Sequence, residues 1–146
     1  SYIIDILTES ESPLHYSEIC QKLLYQGHIT TENNVHTILV RETGTFGLKG
    51  SGIYDLRSRG GLFGSIGDVT EKILTDFGSG IDINTLKRLL LRELIVSEKS
   101  IDTVLFIYDI KKRFIRISDV VFLRKWLRNG QIPQSYCQGQ LSLDFT

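Results

Sequence analysis

The sequence predicts a mostly α fold with small β wings, laid out as two copies of one supersecondary unit. Three observations predict it: short stretches with apolar residues three and four apart, glycine-punctuated pairs of strand-like runs, and an internal repeat. Shifted by 67 positions, Ile6-Leu7-Thr8-Glu9 meets Ile73-Leu74-Thr75-Asp76, and Ile19, Leu23 and Leu24 meet Leu86, Leu90 and Leu91. Shifted by 66, Val35, Thr37, Ile38 and Leu39 meet Ile101, Thr103, Val104 and Leu105. The matches fall in order with a single one-residue slip.

In the first copy, Tyr2 to Thr8 reads as a helix with Ile3, Ile6 and Leu7 on one side. Glu9 to Pro13 is a loop, because Pro13 steers Ser12 away from helical geometry. His15-Tyr16-Ser17 opens a second helix, apolar at Ile19, Cys20, Leu23 and Leu24 and stopped by Gly27. Thr30 or Thr31 caps a third, inward at Val35, Ile38 and Leu39. After Gly44 the runs Thr45–Lys49 and Gly52–Arg57, joined by Gly50-Ser51, give a hairpin signal. Three short helices followed by a hairpin describe a winged helix-turn-helix, in which the third helix is the usual reader and the hairpin the wing. The predicted fold is therefore a tandem winged helix-turn-helix.

The second copy begins at Asp68, with helices expected over Val69–Asp76, Asn84–Leu94 and Glu98 to about Ile107, the last capped by Ser97. Its wing is abbreviated: Lys111-Lys112 is expected to turn between Phe106–Ile110 and Phe114–Ile117, and the pattern leaves open whether Phe106-Ile107-Tyr108 ends the helix or begins a strand. Ser118 and Asp119 then start an added helix, apolar at Val120, Leu123, Trp126 and Leu127, basic at Arg124, Lys125 and Arg128, and stopped by Asn129-Gly130. The expected division is residues 1–60 for the first winged helix, 61–67 for a packed Gly-rich connector, 68–130 for the second with its added helix, and 131–146 for a tail. In that tail Leu141, Leu143 and Phe145 alternate as an edge strand would.

Of the 146 residues, 41% are hydrophobic and 23% charged, the composition of a globular protein with one domain or two small ones. No apolar run is long enough to span a bilayer and no signal-peptide pattern opens the chain. Cys20 and Cys137 have no companions at metal spacing, and nothing suggests a stapled secreted fold, so the expected location is cytoplasmic, nucleoid-associated in a bacterium. There is no Met and residue 1 is Ser, so a fragment of a longer protein is expected. Seventeen basic residues balance seventeen acidic ones, which argues against a uniformly nucleic-acid-coating protein. The distribution is uneven: residues 1–60 hold five basic and seven acidic side chains, whereas 111–128 hold seven basic against Asp119 alone.

Pro13-Leu14-His15-Tyr16-Ser17-Glu18-Ile19, Val35 to Leu39, and Gly50-Ser51-Gly52-Ile53-Tyr54-Asp55-Leu56 resemble the HARE-HTH family of winged helices. That family opens its second helix with P-hydrophobic-H-Y-x-E-I and ends its wing in G-x-G-hydrophobic-Y-x-L. The resemblance covers residues 1–58; the second copy lacks both motifs. It implies a fold similar to the amino-terminal domain of the bacterial RNA polymerase delta subunit. It also implies a module that supplies DNA or regulatory protein contacts, as in proteins where it is fused to restriction endonucleases, helicases or chromatin-associated domains.

The outward side of the third helix would present Asn33, His36, Thr37 and Val40, flanked by Asn34 and Arg41. Asn matches the adenine edge, Thr a base or phosphate, Arg a guanine or phosphate. A plain solvated helix face accounts for the same residues. Lys49, Ser51 and Arg57 on the wing suit phosphate or minor-groove contact, and equally a hairpin kept soluble by charge. In the second copy Glu98 and Asp102 would repel phosphate, so Lys111, Lys112, Arg113 and Arg116 are the better anion site. His15 and Tyr16 lie at a helix entry without a carboxylate or Cys to complete a catalytic set. Gly61, Gly64 and Gly67 lack the Gly-Lys-Ser/Thr of a phosphate loop, and His28 and His36 lack metal partners at helical spacing.

No catalytic residue, metal or cofactor is therefore expected. The expected function is double-stranded DNA binding, as the recognition or regulatory part of a larger intracellular, bacterial protein such as a nuclease, helicase or transcription-associated factor. The alternative is a protein-interaction module that docks on a polymerase or another partner subunit without touching DNA. A fused catalytic domain is compatible with either; a membrane partner is not expected.

Overall fold

The computed structural model describes residues 1–109 and 111–128. The fold is mixed α and β: seven α-helices and two three-stranded antiparallel sheets among these residues. The chain divides into a first unit, Ser1–Ser65 with Glu93–Val96, and a second, Ile66–Arg92 with Ser97 onward.

The first unit runs α1 (Tyr2–Glu9), β1 (Leu14–His15), α2 (Tyr16–Tyr25), α3 (Glu32–Arg41), β2 (Phe46–Gly50), β3 (Ile53–Leu56) and a 3₁₀ turn (Arg57–Arg59). Its core takes one stripe from each helix, namely Ile3, Ile6 and Leu7, Ile19, Cys20 and Leu23, and Val35 and Leu39. Phe46, Tyr54 and Leu56 close the core from the sheet. Ile38, expected inward, is half-buried at its edge. Thr31 caps α3, its side chain accepting from Asn34 N–H at 3.1 Å. The sheet order is β1-β3-β2.

The second unit runs α4 (Ile66–Phe77), β4 (Ile81–Asp82), α5 (Ile83–Glu93), α6 (Glu98–Asp102), a π-helical turn (Thr103–Ile107), β5 (Phe114–Ile117), β6 (Val120–Leu123) and α7 (Arg124–Arg128). Its sheet order, β4-β6-β5, repeats that of the first. The pairings are related by the same 67-residue shift: Leu14 pairs with Tyr54 and Ile81 with Val121, His15 with Ile53 and Asp82 with Val120. The caps follow suit. His15 Nδ1 accepts from Ser17 N–H at 3.1 Å, and Asp82 Oδ2 accepts from Asn84 N–H at 3.0 Å. So does a bond from helix start to hairpin turn: Tyr16 N–H to Gly52 O at 3.0 Å, Ile83 N–H to Asp119 O at 2.7 Å.

Three expectations are corrected. Val120–Leu123 is a strand and not the start of a helix; two adjacent Val residues and a Phe suit a pleated, buried position, and Val121, Phe122 and Leu123 are all buried. The added helix is confined to Arg124–Arg128, with Trp126 turned inward. The hairpin of the second unit consequently turns at Ser118-Asp119, not at Lys111-Lys112; of the two readings open for Phe106, the helix end holds, in a π turn that closes at Ile107 as expected. The β-branched Thr103, Val104 and Ile107 disfavour regular α geometry there. Finally, Ile66 and Gly67 belong to α4, not to the connector. What remains of the connector packs on the first sheet: Gly64 N–H donates to Leu48 O at 2.9 Å, and a Cβ on Gly47 would sit 2.4 Å from the Phe63 ring. Asn129-Gly130, Cys137 and the proposed edge strand lie outside the described residues.

Candidate nucleic-acid interface

α3 is held by Val35 and Leu39 beneath it, which leaves Asn33, Asn34, Thr37 and Arg41 exposed. Asn33, Thr37 and Arg41 recur every four residues and so share one side. Thr37 Oγ1 also donates to Asn33 O at 2.7 Å, so its hydroxyl is part-occupied by the helix itself.

His36 does not belong to that outward set. It is half-buried, stacked on Tyr16 with ring centroids 4.4 Å apart, and shares a 3.2 Å hydrogen bond between Nε2 and the Tyr54 hydroxyl. Tyr16 in turn lies 4.2 Å from the His15 ring. The four rings come from the start of α2, the middle of α3 and β3. Burial pushes the Tyr54 phenol above its usual pKa, and Tyr16 beside it adds to the shift. Gly52 completes the arrangement: it holds φ +70°, and a Cβ there would stand 2.6 Å from His15 Nε2. The residues of the Pro13–Ile19 and Gly50–Leu56 motifs are thus packed on each other, and their role is to fasten hairpin to helix.

The hairpin departs further from expectation. Lys49 is buried at 8% exposure, because the register shifts between Leu48 and Gly50 and turns it inward as a bulge. Its ammonium donates to Leu62 O at 2.7 Å and Glu93 O at 3.1 Å, lies 3.8 Å from the Glu93 carboxylate, and sits over the Phe63 ring at 4.2 Å. With two of its three N–H groups taken by carbonyls and the ammonium buried beside a carboxylate, this lysine is poorly placed to meet a phosphate. The Arg57 Nε donates to Thr43 O and Phe46 O, fastening the hairpin base, with Phe63 5.2 Å beneath the guanidinium. Ser51 is exposed at the turn. Arg59, not singled out from sequence, bonds Asp55 and the carbonyls of Leu7 and Thr8.

These internal bonds change the electrostatics. The first unit has five basic and eight acidic side chains, formally −3, and three of the five cations are engaged by its own backbone. The described part of the second unit has twelve basic and eight acidic side chains, formally +4.

In the second unit the open end of the β5–β6 hairpin gathers the cations. Arg124 N–H donates to Arg113 O at 2.8 Å, which brings the Lys111-Lys112-Arg113 stretch beside the start of α7. Lys111, Lys112, Arg124, Lys125 and Arg128 are exposed. Arg113 is half-buried and paired with Asp68 at 2.8 Å, and a Cβ on Gly67 would collide with its guanidinium. Arg116 lies elsewhere, near the hairpin turn, paired with Asp119 at 3.0 Å and stacked 5.2 Å over Phe106. Of the four basic residues proposed from sequence, Lys111 and Lys112 keep their charge toward solvent, while Arg113 and Arg116 are ion-paired. Arg124, Lys125 and Arg128, the basic residues expected on the last helix, stand exposed on α7 beside the Lys111-Lys112-Arg113 stretch.

Among the described residues no three His, Cys, Asp or Glu side chains converge as a metal site would require, and no helix is long and apolar enough to cross a membrane. Comparison with protein-family models, curated proteins and solved structures returns no match.

Proposed function

We propose that this chain binds double-stranded DNA as a recognition or regulatory part of a larger intracellular protein. The observation that carries the reading is the set of five exposed cations, Lys111, Lys112, Arg124, Lys125 and Arg128, gathered near one hairpin end in a unit of formal charge +4. Such a patch attracts phosphates without regard to sequence. Base contacts fall to Asn33, Asn34, Thr37 and Arg41 on α3.

The order helix, strand, helix, helix, strand, strand supports reading each unit as a winged helix, because the first short strand pairs with the second strand of the hairpin. The packing of His15 and Tyr16 on Gly52 supports the HARE-HTH resemblance of the first unit.

A labelled duplex titrated at two salt concentrations tests the function. If the five cations each meet a phosphate, log K falls against log salt with a slope of roughly −4 to −5. Absence of binding at low salt would remove the DNA reading.

One observation favours a second reading, docking on a protein. Tyr25 and Ile29 stand almost fully exposed at 94% and 101% on the acidic first unit. Large apolar side chains on a surface that repels phosphate suit a protein partner better than a duplex. Retention of a partner by the first unit, together with a flat salt response on DNA, is the outcome expected from that alternative.

A further inference from the structure

Four aromatic rings stand well exposed among the described residues: Tyr2, Tyr25, Phe77 and Tyr108. Their surroundings differ. Tyr2 stacks on His28 at 4.0 Å. Tyr25 borders an open cleft of about 600 Å³ shared with Glu9 and Glu18, which repels nucleic acid. Phe77 directly follows Asp76. Tyr108, 68% exposed, directly follows the π-helical turn, with Lys111 three and Lys112 four residues further on.

Lys112 is held back against Asp109. Lys112 N–H donates to Asp109 O at 3.0 Å, and both Asp109 carboxylate oxygens are occupied by the N–H groups of Arg113 and Phe114, at 3.2 and 3.1 Å. The acidic residue is thereby engaged with the hairpin backbone, while the two lysines stay in solvent. Three residues of chain reach about 11 Å at most, so the backbone positions of Tyr108 and Lys111 lie within the span of a nucleotide or two. Lys112 holds φ +49°, a left-handed conformation that Gly or Asn takes with less strain. The turn thus carries a cation where its backbone would favour another residue.

We propose that Tyr108 and the Lys111-Lys112 turn form a stacking site for an unpaired nucleobase, so that the second unit grips single-stranded DNA at a frayed end or opened segment. This rests on the DNA-binding reading and adds the class of strand. An exposed ring stacks on any base, and the two lysines that follow it hold the neighbouring phosphates. A blunt duplex, whose bases are already stacked, offers the ring nothing.

Fluorescence anisotropy with a labelled oligothymidylate and with a blunt duplex of equal length, both at low salt, tests it. Tyr108→Ala is expected to weaken the oligothymidylate about tenfold and leave the duplex unchanged. Tyr108→Phe keeps the ring and the affinity, whereas Lys111→Ala with Lys112→Ala weakens both ligands. The proposal is overturned if Tyr108→Ala binds oligothymidylate as the parent protein does, or loses strand and duplex equally. Duplex binding with a silent Tyr108→Ala removes the stacking site alone; no binding of either ligand removes the DNA reading with it. Because the ring is exposed, the far-UV circular dichroism of Tyr108→Ala should match the parent.

Discussion

The two units share their connections and differ in their surfaces. Strand pairings, helix caps and the bond from helix start to hairpin turn recur at a shift of 67, yet one unit is formally −3 and the other +4. The first unit engages three of its five cations with its own backbone: Lys49 and Arg59 hold carbonyls, and Arg57 ties the hairpin to its own base. The second leaves Lys111, Lys112, Lys125 and Arg128 exposed at an open hairpin end, beside Arg124, whose guanidinium donates to Phe114 O at 3.0 Å. The contrast shows that a repeated scaffold does not imply a repeated surface, and that the sign of a side chain says little until its partners are known.

The largest effects should come from the shared scaffold. Ile19 and its counterpart Leu86 are both fully buried, so Ile19→Ala and Leu86→Ala are each expected to cost about 2–5 kcal/mol in urea denaturation. A cost below about 1 kcal/mol at either site would break the equivalence of the two cores.

Next come the lysines, which separate inward from outward charge. Lys49→Ala deprives the carbonyls of Leu62 and Glu93 of a donor and should cost about 1–3 kcal/mol, without altering the salt dependence of DNA binding. Lys111→Ala with Lys112→Ala should change stability by no more than about 0.5 kcal/mol and reduce the salt slope by about 2. Exchanged outcomes would mean that the hairpin of the first unit is the phosphate contact.

The smallest effect is a titration. Burial raises the Tyr54 phenol above its usual value of 10.0. The unfolded chain therefore ionises first, and the folded state binds more protons above that pH. Stability contributed by the neutral phenol is complete below pH 10.0 and is lost as pH rises through the folded value. Alkaline denaturation followed by circular dichroism should show a steeper loss for the parent than for Tyr54→Phe. Equal slopes would place the Tyr54 hydroxyl in water.

Much of the scaffold was legible. Periodicity located six of the seven α-helices, and the caps Thr31 and Ser97 were readable because a hydroxyl ahead of a polar first turn has a local mechanism. β1 and β4 were not readable, since two residues cannot display alternation. Val120–Leu123 misled because Val120, Leu123 and Leu127 also fit helical spacing, and only pairing with Phe114–Ile117 decides between the two.

Of the candidate site, Asn33, Thr37 and Arg41 fell where the helical period put them. His36 did not, because its inward lean depends on rings from two distant segments. The fate of Lys49 left a faint trace in Gly47 and Gly50, whose missing side chains let Phe63 and the Ile95 carbonyl come close. Tyr108 escaped notice because an aromatic at a helix end reads as core.

The bond from helix start to hairpin turn has a kinetic consequence. It joins Tyr16 to Gly52 and Ile83 to Asp119, the same chain separation in both units, although one contains a bulge and the other a longer approach to its hairpin. Closing the two loops therefore costs nearly the same conformational entropy. Helices of five to twelve residues with local contacts form before such a closure is rewarded, so in each unit the hairpin is expected to dock late. Substitutions at Gly52 and Asp119 should consequently speed unfolding more than they slow folding, in one unit as in the other.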